Sequence, residues 1–442
     1  MKITPVMARL ARGWIAPLFA ALVAFAGAPL RAADDVVTLT YPGSKTPGEL
    51  ACEANFFLWL PPGVRTVRGV IVHQHGCGDG AERGCLAAAE DLHWRALAEK
   101  HSCALLGTSY RAGDSNCGAW ADPRRGSHQR FLQALRDLSV KTKHPEIADA
   151  PWCLWGHSGG GWWASTMLAL EPERCVAVWL RSGSAYGGVL GPNKEAPPEP
   201  PAAAWRVPVM GNPGAREQND PKFTNAYANT LGTFREWRAK GALIGFAPDP
   251  RSNHDCGGSR YLAIPFFDAC LTARLPAKSG APLQAMPTEA AWLAPLLGDT
   301  ARPAADYTGD KNLSVWLPNK TFAQAWSDYV KTAAVSDTTP PPAPFDVSVR
   351  GGVLTWQAHA DFESGLRGFI IECDGQPLAT LPEKLTERTV FQGLNFHDTP
   401  SQPVPSMRFT NVTANPDAKH RYTIRAVNTA GLKSEPAETM AR

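Results

Sequence analysis

Short, almost wholly apolar runs alternate along this chain with longer stretches in which apolar residues return every three or four positions. The runs are residues 69–75 (Gly-Val-Ile-Val-His-Gln-His), 103–110, 151–157, 175–180, 207–210 and 242–247. Segments 85–100, 124–144, 160–171 and 222–240 lie between them and carry the helical spacing. Such short runs suit strands covered on both faces, and the helical segments suit the layers that cover them. The alternation predicts an α/β fold with a doubly wound, mostly parallel sheet. In such a sheet, ligands bind where the carboxyl ends of the strands meet the loops.

The period changes beyond a Pro-rich linker at 337–344, which contains Thr338-Thr339-Pro340-Pro341-Pro342-Ala343-Pro344. Just before it, residues 322–330 have helical spacing, predicting a helix that packs back on the first domain. In 345–442, segments 347–349, 353–356, 368–373 and 421–427 alternate like half-buried strands. The turn signals Gly351-Gly352 and Asp374-Gly375 separate them. An all-β sandwich follows. It resembles a fibronectin type III domain in its early Trp356 and in Tyr422-x-Ile424-x-Ala426-Val427-Asn428-x-Ala430-Gly431, which runs on to Ser434-Glu435-Pro436. It departs from that pattern in the long stretch 382–413. The resemblance implies a spacing module, or one that docks on a polysaccharide or a surface, and no chemistry is assigned to it.

Residues 1–33 read as a secretory signal. Lys2, Arg9 and Arg12 precede an apolar middle, and small residues mark the exit. The expected division is a signal at 1–33, a catalytic domain at 34–336, the linker, and the sandwich at 345–442. The expected location is secreted or periplasmic, with no integral membrane anchor after cleavage. A formal charge of +3 with no Lys/Arg block gives no sign of a nucleic-acid surface. Ten cysteines suit an exported chain with several disulfides. Spacing does not reveal their connectivity; Cys77 with Cys85 and Cys256 with Cys270 are the nearest pairs around the site proposed below. No CxxC pair exists, and His73 with His75 share a strand face without a third ligand. No metal and no cofactor are therefore expected.

The chemistry centres on Gly156-His157-Ser158-Gly159-Gly160, which lies between an apolar run and a helical segment. A serine at such a strand–turn–helix corner adopts a strained backbone, and the flanking glycines make room for the turn. A serine hydroxyl needs a base to act as a nucleophile at neutral pH. His254, just after the last strand, is the only histidine between His157 and His359. It is therefore the candidate base.

Residues 50–275 resemble the α/β-hydrolase serine esterases. His75-Gly76-Cys77 together with the Ser158 motif looks most like the secreted branch containing feruloyl and acetylxylan esterases and polyhydroxybutyrate depolymerases. The resemblance implies hydrolysis of a small-molecule or polymer ester through an acyl-enzyme, without a cofactor. It also implies the chain order nucleophile, acid, base, with the acid about three residues past a glycine after the preceding strand. That points to Glu217, with Asp220 as the rival and Asp249 third. It implies oxyanion donors at the backbone of Gly159 and of Cys77. Two departures stand out: a Glu where Asp is usual, and no polymer-binding domain after the sandwich. The Pro-rich stretch 192–208 is a candidate lid or pocket insertion as much as a plain surface loop. Trp120 and Trp205, read as loop residues, are candidate substrate platforms; the other tryptophans near the site are read as core. A serine peptidase on the same fold is the main alternative, since the triad does not separate ester from amide. A non-catalytic binding protein is the other, and it would require a broken triad.

Overall fold

The computed structural model describes residues 36–78, 85, 88–113, 117–188, 194–383, 407–410 and 420–440. The expected signal at 1–33 and most of 382–413 lie outside the described residues.

Eight strands form the main sheet: β1 (Val36–Tyr41), β2 (Glu53–Trp59), β3 (Val70–Gln74), β4 (Ala104–Arg111), β5 (Trp152–His157), β6 (Cys175–Arg181), β7 (Val209–Asn212) and β8 (Ile244–Phe246). Their spatial order is β1-β2-β4-β3-β5-β6-β7-β8. β1, β2 and β4 pair antiparallel, and every pair from β4 to β8 is parallel. All residues of β3, β6, β7 and β8 are buried, as strands covered on both faces require. The connections carry helices α1 (Leu92–His101), α2 (Ser127–Thr142), α3 (Gly159–Leu170) and α4 (Thr224–Ala239), with α5 (Ser259–Arg274) after β8.

The apolar-run pattern located β3 to β8 but passed over β1 and β2. β1 is a sheet-edge strand of half-buried and exposed residues, so it has no apolar run to show. The pattern also missed α5, which contains Pro265. A small sheet of β9 (Trp292–Ala294), β10 (Arg302–Pro303) and β11 (Val315–Leu317) follows. Helix α6 (Lys320–Thr332) starts at Asn319, whose side chain accepts from the Phe322 N–H at 2.9 Å. It buries Phe322, Trp326 and Tyr329, and Trp326 Nε1 donates to the Phe246 carbonyl at the end of β8. The predicted back-packing helix thus closes the first core.

The C-terminal strands are β12 (Phe345–Arg350), β13 (Val353–Gln357), β14 (Leu366–Cys373), β15 (Gln376–Leu381), β16 (Arg408–Thr410), β17 (Arg421–Asn428) and β18 (Ala437–Met440). They form two antiparallel sheets, β12-β13-β16 and β15-β14-β17-β18. Trp356, Phe369, Ile371, Tyr422 and Ile424 lie at the core of this sandwich. Leu92 of α1 joins the same cluster, and His93 Nε2 lies 2.8 Å from the Phe362 carbonyl, so the sandwich leans on the first domain.

Candidate active site

Strand β5 ends at His157 and helix α3 begins at Gly159. Ser158 between them is held at φ 54° and ψ −118°. Its N–H donates to the Arg181 carbonyl of β6 at 2.9 Å, which ties the corner to the sheet. A side chain at Gly156 would overlap the Gly160 carbonyl, and one at Gly160 would overlap the Gln74 carbonyl. The two glycines let helix and strands approach closely enough for the corner to form. The strain is held by packing on both sides and leaves the Ser158 hydroxyl facing outward at the carboxyl edge of the sheet.

Loops after β7 and β8 bring the other two groups there. His254 Nε2 lies 2.8 Å from Ser158 Oγ, and His254 Nδ1 lies 2.5 Å from Glu217 Oε1. Glu217 sits on a 3₁₀ turn, Ala215–Asn219, and is fully buried; its Oε2 has no hydrogen-bond partner among the described residues. Asp220 ends the same turn facing solvent. Its carboxylate accepts from Asn253 Nδ2 at 2.6 Å and from the Lys222 and Phe223 N–H groups. The Asn253 bond first, then the backbone donors, hold its pKa below the ordinary carboxylate value. Asp249 is buried and accepts from the Arg251 and Gly258 N–H groups and from the Tyr329 hydroxyl. Of the three acids, Glu217 is the one bonded to His254.

The loop after β3 passes directly over Ser158. A Cβ on Gly76 would stand 2.9 Å from Ser158 Cβ, so the Gly76–Cys77 backbone lies against the serine. Cys77 is joined to Cys117 by a disulfide, and a side chain on Gly159 would overlap both sulfurs. Cys77 and Gly159 therefore flank Ser158, with the disulfide lying over Gly159. This corrects the nearest-neighbour pairing of Cys77 with Cys85: the Cys85 thiol instead donates to the Thr108 carbonyl. Cys270 is likewise not paired. Together with Cys103, Cys153 and Cys175 it stays a thiol buried in the core. Burial pushes these thiols up, Cys103 and Cys175 to about 12, so they behave as small apolar side chains.

Two neighbours of Ser158, His254 and Glu217 were not foreseen. Arg181, at the end of β6, is completely buried, and its guanidinium donates to the Asp255 and Asn212 carbonyls and to Ser252 Oγ. Burial works against its charge, but Asp249 and other nearby acids outweigh that and hold it protonated. It pins the loop that carries His254. Phe223 stacks on the His254 ring, with centroids 3.9 Å apart and planes 7° from parallel. An arginine inside an apolar strand is the signal that could have identified the first; nothing local marks the second.

Neither predicted tryptophan platform lines the site as expected. Trp120 is 2% exposed, stacks on Tyr110 at 5.3 Å, and backs the Gly159 turn from within the core. Trp205 lies at the amino ends of β7 and β8, where its carbonyl accepts from Leu243 N–H and its ring packs on Trp237. That is the opposite edge of the sheet from Ser158. Both misplacements have one cause: loop membership says nothing about which end or depth of the sheet a loop occupies. His73 is also core, wedged between Trp94 and Trp155, and burial holds its pKa well below the ordinary value.

The strand order, the corner after β5 and the loops after β7 and β8 together define an α/β-hydrolase fold. No family model matches the chain, and no curated protein matches it in sequence. Solved structures similar to it include the LpqC poly(3-hydroxybutyrate) depolymerase from Bordetella parapertussis, at 15% identity. That match spans 55% of this chain and 90% of that one, with a TM-score of 0.39. The siderophore hydrolase EstB from Aspergillus nidulans is 14% identical over 58% of this chain and 100% of its own, with a TM-score of 0.38. A ferulic acid esterase is 17% identical over 54% and 96%, also with a TM-score of 0.38.

Proposed function

We propose that this chain is a serine hydrolase that cleaves carboxylic esters through an acyl-enzyme. The unbroken line from Ser158 Oγ through His254 to Glu217, at 2.8 and 2.5 Å, carries the reading. In this mechanism Ser158 Oγ attacks the ester carbonyl as His254 Nε2 takes its proton. Glu217 on Nδ1 fixes the tautomer that leaves the Nε2 lone pair facing the serine, and it stabilises the imidazolium that forms. The Gly159 and Cys77 N–H groups take up the charge developing on the carbonyl oxygen. Gly159 opens α3, where the helix dipole favours negative charge. The imidazolium then protonates the departing alkoxide, and water repeats the sequence to release the acid. No step calls on a cofactor.

The narrower reading, esters of plant-polymer or polyester type, rests on the likeness of the 75–77 and 156–160 motifs to the feruloyl esterase and depolymerase branch. Export is supported by the disulfide and by the composition of residues 1–33. The sandwich would then serve as a docking module.

The test is a panel of aryl acetates, acetylated sugars, feruloyl esters and peptides, run with the parent and with Ser158→Ala. Ester turnover that vanishes in Ser158→Ala while the circular dichroism is unchanged is the expected result. Retained turnover would remove Ser158 from the chemistry, and turnover of peptides alone would replace the esterase reading with a peptidase.

A further inference from the structure

Behind the triad, three side chains from distant parts of the chain converge. His75 precedes the Gly76–Cys77 loop, His157 precedes the nucleophile, and Cys256 follows the base by two positions. One ligand atom from each, an imidazole nitrogen from His75 and His157 and the Cys256 Sγ, lie within 4.8 Å of one another. His75 and Cys256 are 1% and 5% exposed. The His157 ring hydrogen-bonds the His254 backbone, while its Nε2 is buried with no hydrogen-bond partner among the described residues. The bonded nitrogen is therefore Nδ1. An imidazole that gives one N–H to a backbone carbonyl presents a fixed lone pair at the other nitrogen, the arrangement that orients metal-bound histidines.

We propose that His75, His157 and Cys256 form a structural site for a borderline-soft divalent cation of the zinc type. The donor set suits that class, since imidazole and thiolate together select against Mg²⁺ and Ca²⁺, which take oxygen ligands. The size is also right. Three atoms no more than 4.8 Å apart leave a point within about 2.8 Å of each, and shifts of about 0.5–0.8 Å reach bonding distance. On binding, the Cys256 thiol gives its proton to solvent as the sulfur–metal bond forms. The positive charge of Arg181 nearby is balanced by Asp249 and Glu217. An ion here would join the oxyanion loop, the elbow and the base loop at one point.

The full chain, stripped with a chelator and kept non-reduced so that Cys77–Cys117 survives, is titrated with Co²⁺ and then Zn²⁺. The expected result is one equivalent of Co²⁺ bound with a thiolate charge-transfer band in the near ultraviolet, displaced by one equivalent of Zn²⁺. The band disappears in Cys256→Ser and in His157→Gln, each with parental circular dichroism. It persists in Cys373→Ser, which removes the thiol of the separate Cys373–Asp374–His420 cluster. A parent chain that takes up no ion with a thiolate band overturns the proposal without recourse to any variant. So does a band that survives Cys256→Ser or disappears in Cys373→Ser. If Cys256→Ser does not fold, His157→Gln and the parent titration still decide. None of these readouts depends on ester turnover.

Discussion

Glu217 and Asp220 lie three positions apart on one turn, and only the direction of their side chains separates them. The 3₁₀ turn aims Glu217 inward at His254 Nδ1, while Asp220 accepts from Asn253 and from the Lys222 and Phe223 N–H groups ahead of α4. If Glu217 holds the imidazole tautomer, Glu217→Gln lowers kcat on an aryl acetate by about 1,000-fold or more. Asp220→Asn, acting only through Asn253 and the Lys222 and Phe223 N–H groups, costs less than about ten-fold. Steady-state kinetics of the two variants check this, and the reverse order would move the acid to Asp220. His254 could be singled out in the sequence because no other histidine lies between His157 and His359. Arg181 shows there only as a charge ending an apolar run, and Phe223 could not be read at all. One acts through backbone carbonyls and the other through ring orientation, and neither leaves a spacing in the sequence.

At the scale of elements, the loops after β3, β5, β7 and β8 must keep a common register at the sheet edge. Two devices are visible: the Arg181 guanidinium under the loop that carries His254, and the Cys77–Cys117 disulfide over Gly159. The disulfide spans 40 residues, for which restriction of the unfolded chain gives about 4 kcal/mol. Replacing both cysteines with alanine is expected to lower Tm and to cut kcat by about 10- to 100-fold with little change in KM. The Cys77 N–H would act on charge present mainly in the transition state. Thermal unfolding and Michaelis kinetics read the two effects separately. A lower Tm with unchanged kcat would mean that the loop holds its donor without the bond. The runs behind β3 to β8 were visible because burial on both faces demands uninterrupted apolar residues. β1 was not, because half-buried and exposed residues alternate along that edge strand.

Among the described residues, two cores meet at α1. In the sandwich, Asp361 is 1% exposed, and burial pushes its carboxyl up to about 6 against the opposing bonds from Ser364 N–H and Asn428. The native pKa exceeds the unfolded value of about 3.9, so the native state holds a proton that the unfolded chain has released. The resulting contribution is fully present below about pH 3.9 and is lost as pH rises through about 6. Differential scanning calorimetry should therefore show the sandwich transition moving up in temperature from pH 7 to pH 5. Asp361→Asn should flatten that shift, and an unchanged slope would remove Asp361 as its source.

Taken alone, the sequence determined the alternation of covered strands and helices and the glycine-flanked corner at Ser158, and it singled out His254 as the candidate partner. Each of these follows from local sterics or from elimination along the chain. Only the tertiary structure decided that Cys77 joins Cys117, that Trp120 lies in the core, and that Trp205 stands at the far edge of the sheet. It also brought His75, His157 and Cys256 together. These are distances between segments many tens of residues apart, set by how the strands line up in the sheet, and spacing along the chain carries no record of them.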